Sequence, residues 1–198
     1  MKSKLIAVIA GAAAVTAGLI GGVAVQADAS PATAAQAPAP RVTLTATATS
    51  PLSATEAKDL AFMREEEKVA RDVYLTLSKK YSVSVFANIA KSESTHMTAI
   101  KTLLDRYGVA DPVGSNPVGV FQNKDLQALY DQLVAQGSKS VTDALNVGVL
   151  IEKTDIADLQ LRLAQTTHSD VKTVYTSLMN GSYNHLSSFE SLLARYGG

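Results

Sequence analysis

Residues 53–81 read SATEAKDLAFMREEEKVARDVYLTLSKKY, and this stretch decides the fold. Ser53 followed three residues later by Glu56 is a capping box, which marks the start of a helix. Beyond it, residues at alternating steps of three and four form one mostly apolar helix face. This face consists of Leu60, Met63, Glu67, Ala70, Tyr74, Leu77 and Tyr81. The stretch predicts a long amphipathic helix in which Glu67 occupies a core position.

Three later segments repeat this pattern of an apolar face broken near its middle. A predicted helix over 83–107, ended by Gly108, has Glu93 and His96 on its apolar face. A loop over 109–122 and a short helix over 124–136 follow. The next helix, over 140–166, has Glu152 on its face and Asp155 at the edge. The last begins near Ser169; Asn180-Gly181 predicts a kink or break in it, and Ser182 and His185 interrupt its face.

The second and fourth long segments are related by an internal repeat. Shifting residues 86–108 by 89 places them on residues 175–197, with six of 23 positions identical, among them His96 and His185. Glu93 falls on Ser182. We therefore expect an all-α fold built from two helix hairpins about a pseudo-twofold axis, with the short helix in the connection.

The polar residues on the four faces predict a metal site. Each lies near the middle of its helix, so antiparallel packing would bring them to one level. A Glu from each of two helices and a Glu-x-x-His from each of the other two hold two iron or manganese ions in carboxylate-bridged proteins. The alternative is a hydrogen-bonded polar core without metal. The predicted ligands are Glu67, Glu93, His96, Glu152 and His185.

Composition excludes several other classes of protein. The 198 residues contain no Cys, which rules out disulfide scaffolds, thiolate-bound zinc, iron–sulfur clusters and thiol nucleophiles. Basic and acidic residues number 18 each, and residues 51–198 alone carry a net charge of −2. Nucleic-acid binding normally needs a basic excess, so we expect no nucleic-acid partner.

The first 50 residues have the composition of a targeting region. Lys2 and Lys4 precede an uncharged run over 5–25, and small residues suited to cleavage follow at Ala27 and Ala29. Residues 1–29 are a predicted signal peptide, residues 30–50 an Ala/Thr/Pro-rich linker, and residues 51–198 the helical domain. We expect an exported protein, secreted or extracytoplasmic, without a stable membrane span after cleavage. A retained membrane anchor is the alternative.

Four stretches resemble the DUF2202 family, a bacterial family placed among ferritin-like folds. They read EEEKVARDVY at 65–74, SESTHM at 92–97, GVLIE at 148–152 and GSYNHL at 181–186. The first also resembles the E-x-x-A-R-x-x-Y element of rubrerythrin-type proteins. The resemblance implies a ferritin-like four-helix bundle with a metal centre, and implies no particular reaction.

The chain departs from the ferritin-like pattern at Ser182, where the fourth helix should offer a Glu. Asp155 is the candidate replacement, since it lies one helical turn from Glu152. Otherwise, the ion beside His185 is weakly held, or a single ion binds, and the tighter site is the one formed by Glu67, Glu93 and His96.

Three functions remain open from the sequence. The first is an oxygen- or peroxide-dependent oxidoreductase or ferroxidase with one or two iron or manganese ions. The second is a metal-binding or scavenging protein without turnover, and the third is a metal-free helical interaction module. Residues outside the predicted site are interpreted as structural: Glu65 and Glu66 as a solvated face unless the helix phase is off by one, His168 as an exposed or capping residue, and Tyr74, Tyr107 and Tyr196 as core aromatics.

Overall fold

A computed structural model describes residues 50–196 and contains five α-helices and no strands within that range. The helices are α1 (Ala54–Lys80), α2 (Ser84–Tyr107), α3 (Lys124–Gly137), α4 (Val141–Gln165) and α5 (Ser169–Tyr196). The predicted all-α fold is therefore confirmed for these residues. The predicted signal peptide and nearly all of the predicted linker lie outside them. No helix in the described part of the chain has the length and apolar character needed to cross a membrane.

The helix ends follow from local capping. The Ser53 hydroxyl accepts a hydrogen bond from the Glu56 N–H at 3.2 Å, and the Glu56 carboxylate accepts one from the Ser53 N–H at 2.9 Å. Gly108 ends α2 with φ of 65°, a conformation that favours glycine. The predicted break at Asn180-Gly181 is wrong, because α5 continues through both residues.

Short connections make two pairs of adjacent helices. Residues 81–83 join α1 to α2 and residues 166–168 join α4 to α5, and each pair packs together along its length. The two pairs meet through α1 with α4 and α2 with α5, while α3 lies against α1 and α4. The short helix therefore lies in the connection between the pairs, as the sequence predicts.

Two apolar clusters fill the interior on either side of the polar positions. One cluster contains Tyr74, Phe86 and Phe189, whose ring centroids lie 5.2–6.4 Å apart. The other contains Leu60 and Ile100 together with residues from the C-terminal part of α4 and the N-terminal part of α5. In every long helix the predicted ligands lie between the segments that build these two clusters. The polar residues are thus shielded at both ends by apolar packing.

The solvated face predicted for Glu65 and Glu66 is wrong, because both side chains are buried. The Glu65 carboxylate accepts hydrogen bonds from the backbone N–H groups of Gln122 and Asn123 at 2.6 and 3.1 Å, which fixes the chain leading into α3. Tyr196, predicted to be a core residue, is 49% exposed. It lies in the last turn of α5, beyond the packed part of the helix.

A buried lysine holds the 109–123 loop against α1. Lys68 is fully buried, forms an ion pair with Asp72, and donates to the Pro117 carbonyl at 2.8 Å. Its ammonium also lies 4.3 Å from the centre of the Phe121 ring, a cation–π contact. Asp72 in turn accepts from the Gly119 N–H at 2.9 Å. These contacts neutralise the buried charge and anchor the loop beside the polar layer.

Candidate metal centre

Glu93 of α2 lies at the centre of the buried polar layer. Its Oε2 is 2.8 Å from Nδ1 of His96, one turn further along the same helix. Its Oε1 is 2.9 Å from Nδ1 of His185, which comes from α5. The two imidazole rings are stacked, with centroids 5.5 Å apart and planes inclined by 27°. One carboxylate therefore lies between two histidines from opposite helix pairs.

Two groups of potential ligands share this glutamate. Glu67, Glu93 and His96 form one triad, and Glu93, Glu152 and His185 form the other. Within each triad one donor atom per residue lies within 4.8 Å of the others, and all five side chains are buried. Within the first triad, His96 Nδ1 is 3.3 Å from Glu67 Oε2, and within the second, His185 Nδ1 is 3.4 Å from Glu152 Oε2. Each long helix thus places a predicted ligand in one of two adjacent groups.

Several donor atoms of these triads have no hydrogen-bond partner within the described residues. Glu67 Oε1, Glu93 Oε2 and His185 Nδ1 are buried and unpartnered, although some of them approach each other closely. A close approach without hydrogen-bond geometry is what ligands show when they point at a common ion rather than at one another. Burying such atoms without a partner is costly. The residues present therefore fit divalent metal ions, one in each triad.

The electrostatics of the cluster support this fit. Burial raises the pKa of Glu67 well above its ordinary value, and the nearby Asp155 and Glu93 add to the effect. Burial and the Glu93 charge raise the pKa of Glu152 to about 8, against the opposing effect of His185. Burial also opposes ionisation of Glu93, but the adjacent imidazoles of His185 and His96 outweigh that effect and lower its pKa to about 2. Without a cation, the cluster must hold protons to limit its charge.

Asp155, the predicted replacement for the missing glutamate, lies against Ser182. The Ser182 Oγ is 2.5 Å from Asp155 Oδ2, while Asp155 Oδ1 is buried and unpartnered. Burial raises the Asp155 pKa to about 7 despite that hydrogen bond. Asp155 belongs to neither triad. The structure does place its carboxylate beside the residue that stands where the repeat would require a glutamate.

Three further residues lie at the site, although the sequence did not predict them as site residues. Glu66 is buried with both carboxylate oxygens unpartnered, and burial together with Asp158 and Asp155 raises its pKa well above the ordinary range. Tyr74 donates from its hydroxyl to Glu152 Oε1 at 2.6 Å. The Ser92 hydroxyl lies 2.9 Å from His185 Nε2.

Different signals were available for these three residues. A one-residue shift of helix phase would have placed Glu66 on the buried face of α1. Tyr74 lies on that face among apolar residues, where an aromatic residue is expected for packing alone. Nothing in the sequence marks Ser92, because its partner lies on another helix.

The remaining aromatic and histidine predictions concern the end of the fold away from the centre. His168 lies in the connection before α5, where its carbonyl accepts the Lys172 N–H and its ring contacts Glu56, in agreement with a capping role. Tyr107 is half-buried and donates to Asp170 at 2.8 Å. Neither residue contacts the triads.

Comparison with known proteins places the chain in a family. Residues 56–198 match the DUF2202 family, described as an uncharacterized protein domain. The uncharacterized protein MJ0754 of Methanocaldococcus jannaschii is 50% identical over 147 residues, which cover 74% of this chain and 80% of that protein. The crystal structure of hypothetical protein MJ0754 from Methanococcus jannaschii matches with a TM-score of 0.74, covering 75% of this chain and 85% of that one. The match over most of the helical region shows that the chain belongs to the DUF2202 family.

Proposed function

We propose that this protein is a ferritin-like four-helix protein that binds two adjacent iron or manganese ions and uses them in oxygen- or peroxide-dependent oxidation. The observation that carries the proposal is Glu93, which is common to both triads and lies within 3 Å of both histidines. Glu67, Glu93 and His96 would hold one ion, and Glu93, Glu152 and His185 the other. When bound, such a pair of ions supplies the electrons for reduction of oxygen or peroxide.

The chain's own residues account for the other requirements of such a site. Tyr74 donates a hydrogen bond to Glu152, which orients that carboxylate toward His185. The two apolar clusters exclude water from the layer at both ends. Asp155 is a further buried carboxylate, adjacent to the triads and able to balance the charge of a second ion.

Carboxylate oxygens with one imidazole per ion suit iron and manganese, and the same donors also accept zinc. We propose iron or manganese because the shared carboxylate, the two single glutamates, the Glu-x-x-His of α2 and His185 correspond to the di-iron and di-manganese arrangement, with Ser182 as the one departure. The N-terminal segment leads us to propose further that the protein acts outside the cytoplasm after export. Protein for metal analysis should therefore be purified from its native compartment.

Metal analysis of the purified protein, followed by Fe(II) addition in the presence of oxygen or peroxide, tests the proposal. We expect two iron or manganese ions per chain and consumption of oxidant beyond the rate for Fe(II) alone. Two bound ions without oxidant consumption would indicate metal storage or scavenging instead of catalysis. Absence of bound metal, together with an unchanged melting curve on adding Fe(II), Mn(II) or Zn(II), would refute the proposal and favour a metal-free interaction module.

A further inference from the structure

The two histidines of the centre differ in what their outer nitrogens contact. His185 Nε2 lies 2.9 Å from the hydroxyl of Ser92, which projects from α2 beside Glu93. When an ion is bound at Nδ1, between Glu93 and Glu152, the ring proton of His185 resides on Nε2 and the serine oxygen can accept it. A hydroxyl can also donate, so Ser92 does not select the tautomer, but it can accept the ring proton of the tautomer that binds an ion through Nδ1, and it fixes the plane of the ring.

Among residues 50–196, Nε2 of His96 has no such partner, for a reason that the internal repeat explains. The offset of 89 residues that relates the two histidines places Ser92 on Gly181. A Cβ atom added to Gly181 would lie 2.5 Å from His96 Nε2 and 2.8 Å from its Cε1. The His96 ring thus occupies the space that a side chain at 181 would need. Gly181 accommodates the ring but offers no hydroxyl to hold it.

We infer that Ser92 is a positioning residue for His185 and that Gly181 leaves Nε2 of His96 without an equivalent hydroxyl, so that the two triads bind ions with unequal affinity. The inference rests on the proposed metal centre. The triad of Glu93, Glu152 and His185 is the preorganised and tighter one. This order is the reverse of the one expected from Ser182 alone, because it depends on how firmly the His185 ring is held and not on the number of charged ligands.

Titration of the full-length protein with Co(II) alone tests the inference, since the visible absorption of Co(II) reports the geometry of each bound ion. We expect two ions with distinct affinities in the wild type. Ser92→Ala should weaken the tighter ion by about 10- to 100-fold, the usual effect of losing such a partner. Ser92→Thr retains a hydroxyl and should restore the affinity. Ser94→Ala is the matched control, because Ser94 is exposed on the same helix and its hydroxyl donates to the Ala90 carbonyl.

Gly181→Ala tests the other half of the site. The added methyl group should displace the His96 ring and remove one Co(II) ion, while the remaining ion keeps its wild-type affinity and spectrum. Asn180→Ala, at the neighbouring exposed position, should bind both ions. If Gly181→Ala still binds two Co(II) ions as the wild type does, His96 is not a ligand of one of them.

The solvent-exchange rate of the His185 ring proton gives a readout that a purely structural role for Ser92 would not change. In the Zn(II)-loaded protein, ¹⁵N NMR should show the His185 proton on Nε2 with slow solvent exchange, and Ser92→Ala should accelerate that exchange. Equal Co(II) affinities and equal exchange in wild type and Ser92→Ala would overturn the inference while leaving the metal centre in place. Failure of the wild type to bind Co(II) would overturn both.

Discussion

Replacing Glu93 by glutamine should abolish metal binding at both triads while preserving the shape of the side chain. Glu93 contributes to each triad, and its two oxygens lie 2.8 and 2.9 Å from the histidine nitrogens. A neutral amide has one oxygen and a donating NH₂ group, so it cannot serve as a negatively charged ligand shared by two ions. Single substitutions elsewhere in the centre should affect mainly one triad, whereas this one affects both.

The expected effect on stability follows from mass action. A ligand at 100 times its Kd stabilises the folded state by about 2.7 kcal/mol per site, so two sites give about 5 kcal/mol. For a domain of this size, each kcal/mol raises the Tm by about 2–4 °C. Saturating Mn(II) should therefore raise the wild-type Tm by about 10–20 °C and leave that of Glu93→Gln nearly unchanged.

Calorimetry with and without Mn(II), together with metal analysis after gel filtration, provides the measurement. Glu190→Gln is the matched control, because the side chain of Glu190 is half exposed and pairs only with Lys153 at 3.0 Å. The control should retain the full Mn(II)-dependent shift. If Glu93→Gln still carries two ions, or melts with the same shift as the wild type, the shared carboxylate is not the basis of the site.

Two other predictions concern protons and the residues around the ligands. Burial raises the pKa values of Glu152 and Asp155 to about 8 and about 7, so the metal-free folded state retains protons that the unfolded chain has lost above about pH 4.5. The metal-free protein should therefore lose stability as pH rises from about 5 to 8, while its affinity for Mn(II) rises over the same interval. A metal-free Tm that increases with pH would contradict the burial of Glu152 and Asp155. Tyr74→Phe removes the hydrogen bond to Glu152 and should weaken the binding of one of the two ions by about 10- to 100-fold, as measured by Co(II) titration. An unchanged titration would show that Tyr74 contributes to packing alone.

The sequence by itself determined the helices and most of the polar layer. Capping residues such as Ser53 act through bonds to neighbours three residues away, so they can be identified without knowing the fold. Glu67, Glu93 and His185 stand out because an ionisable residue on an apolar face needs a partner. Antiparallel packing of the long helices then brings these mid-helix residues to one level of the fold.

Only the tertiary structure decided the contacts that depend on neighbouring helices. The burial of Glu66 depends on the rotation of α1 about its axis, which a pattern of 3.5-residue spacing leaves uncertain because the helix itself repeats every 3.6 residues. The pairing of Asp155 with Ser182, and of Ser92 with His185, joins residues from different helices. Gly181, which the sequence marks as a helix breaker, lies within α5 at the point where the ring of His96 needs its space. Periodicity specifies which face of a helix is buried, but the atoms that meet there are set by the packing of one helix against another.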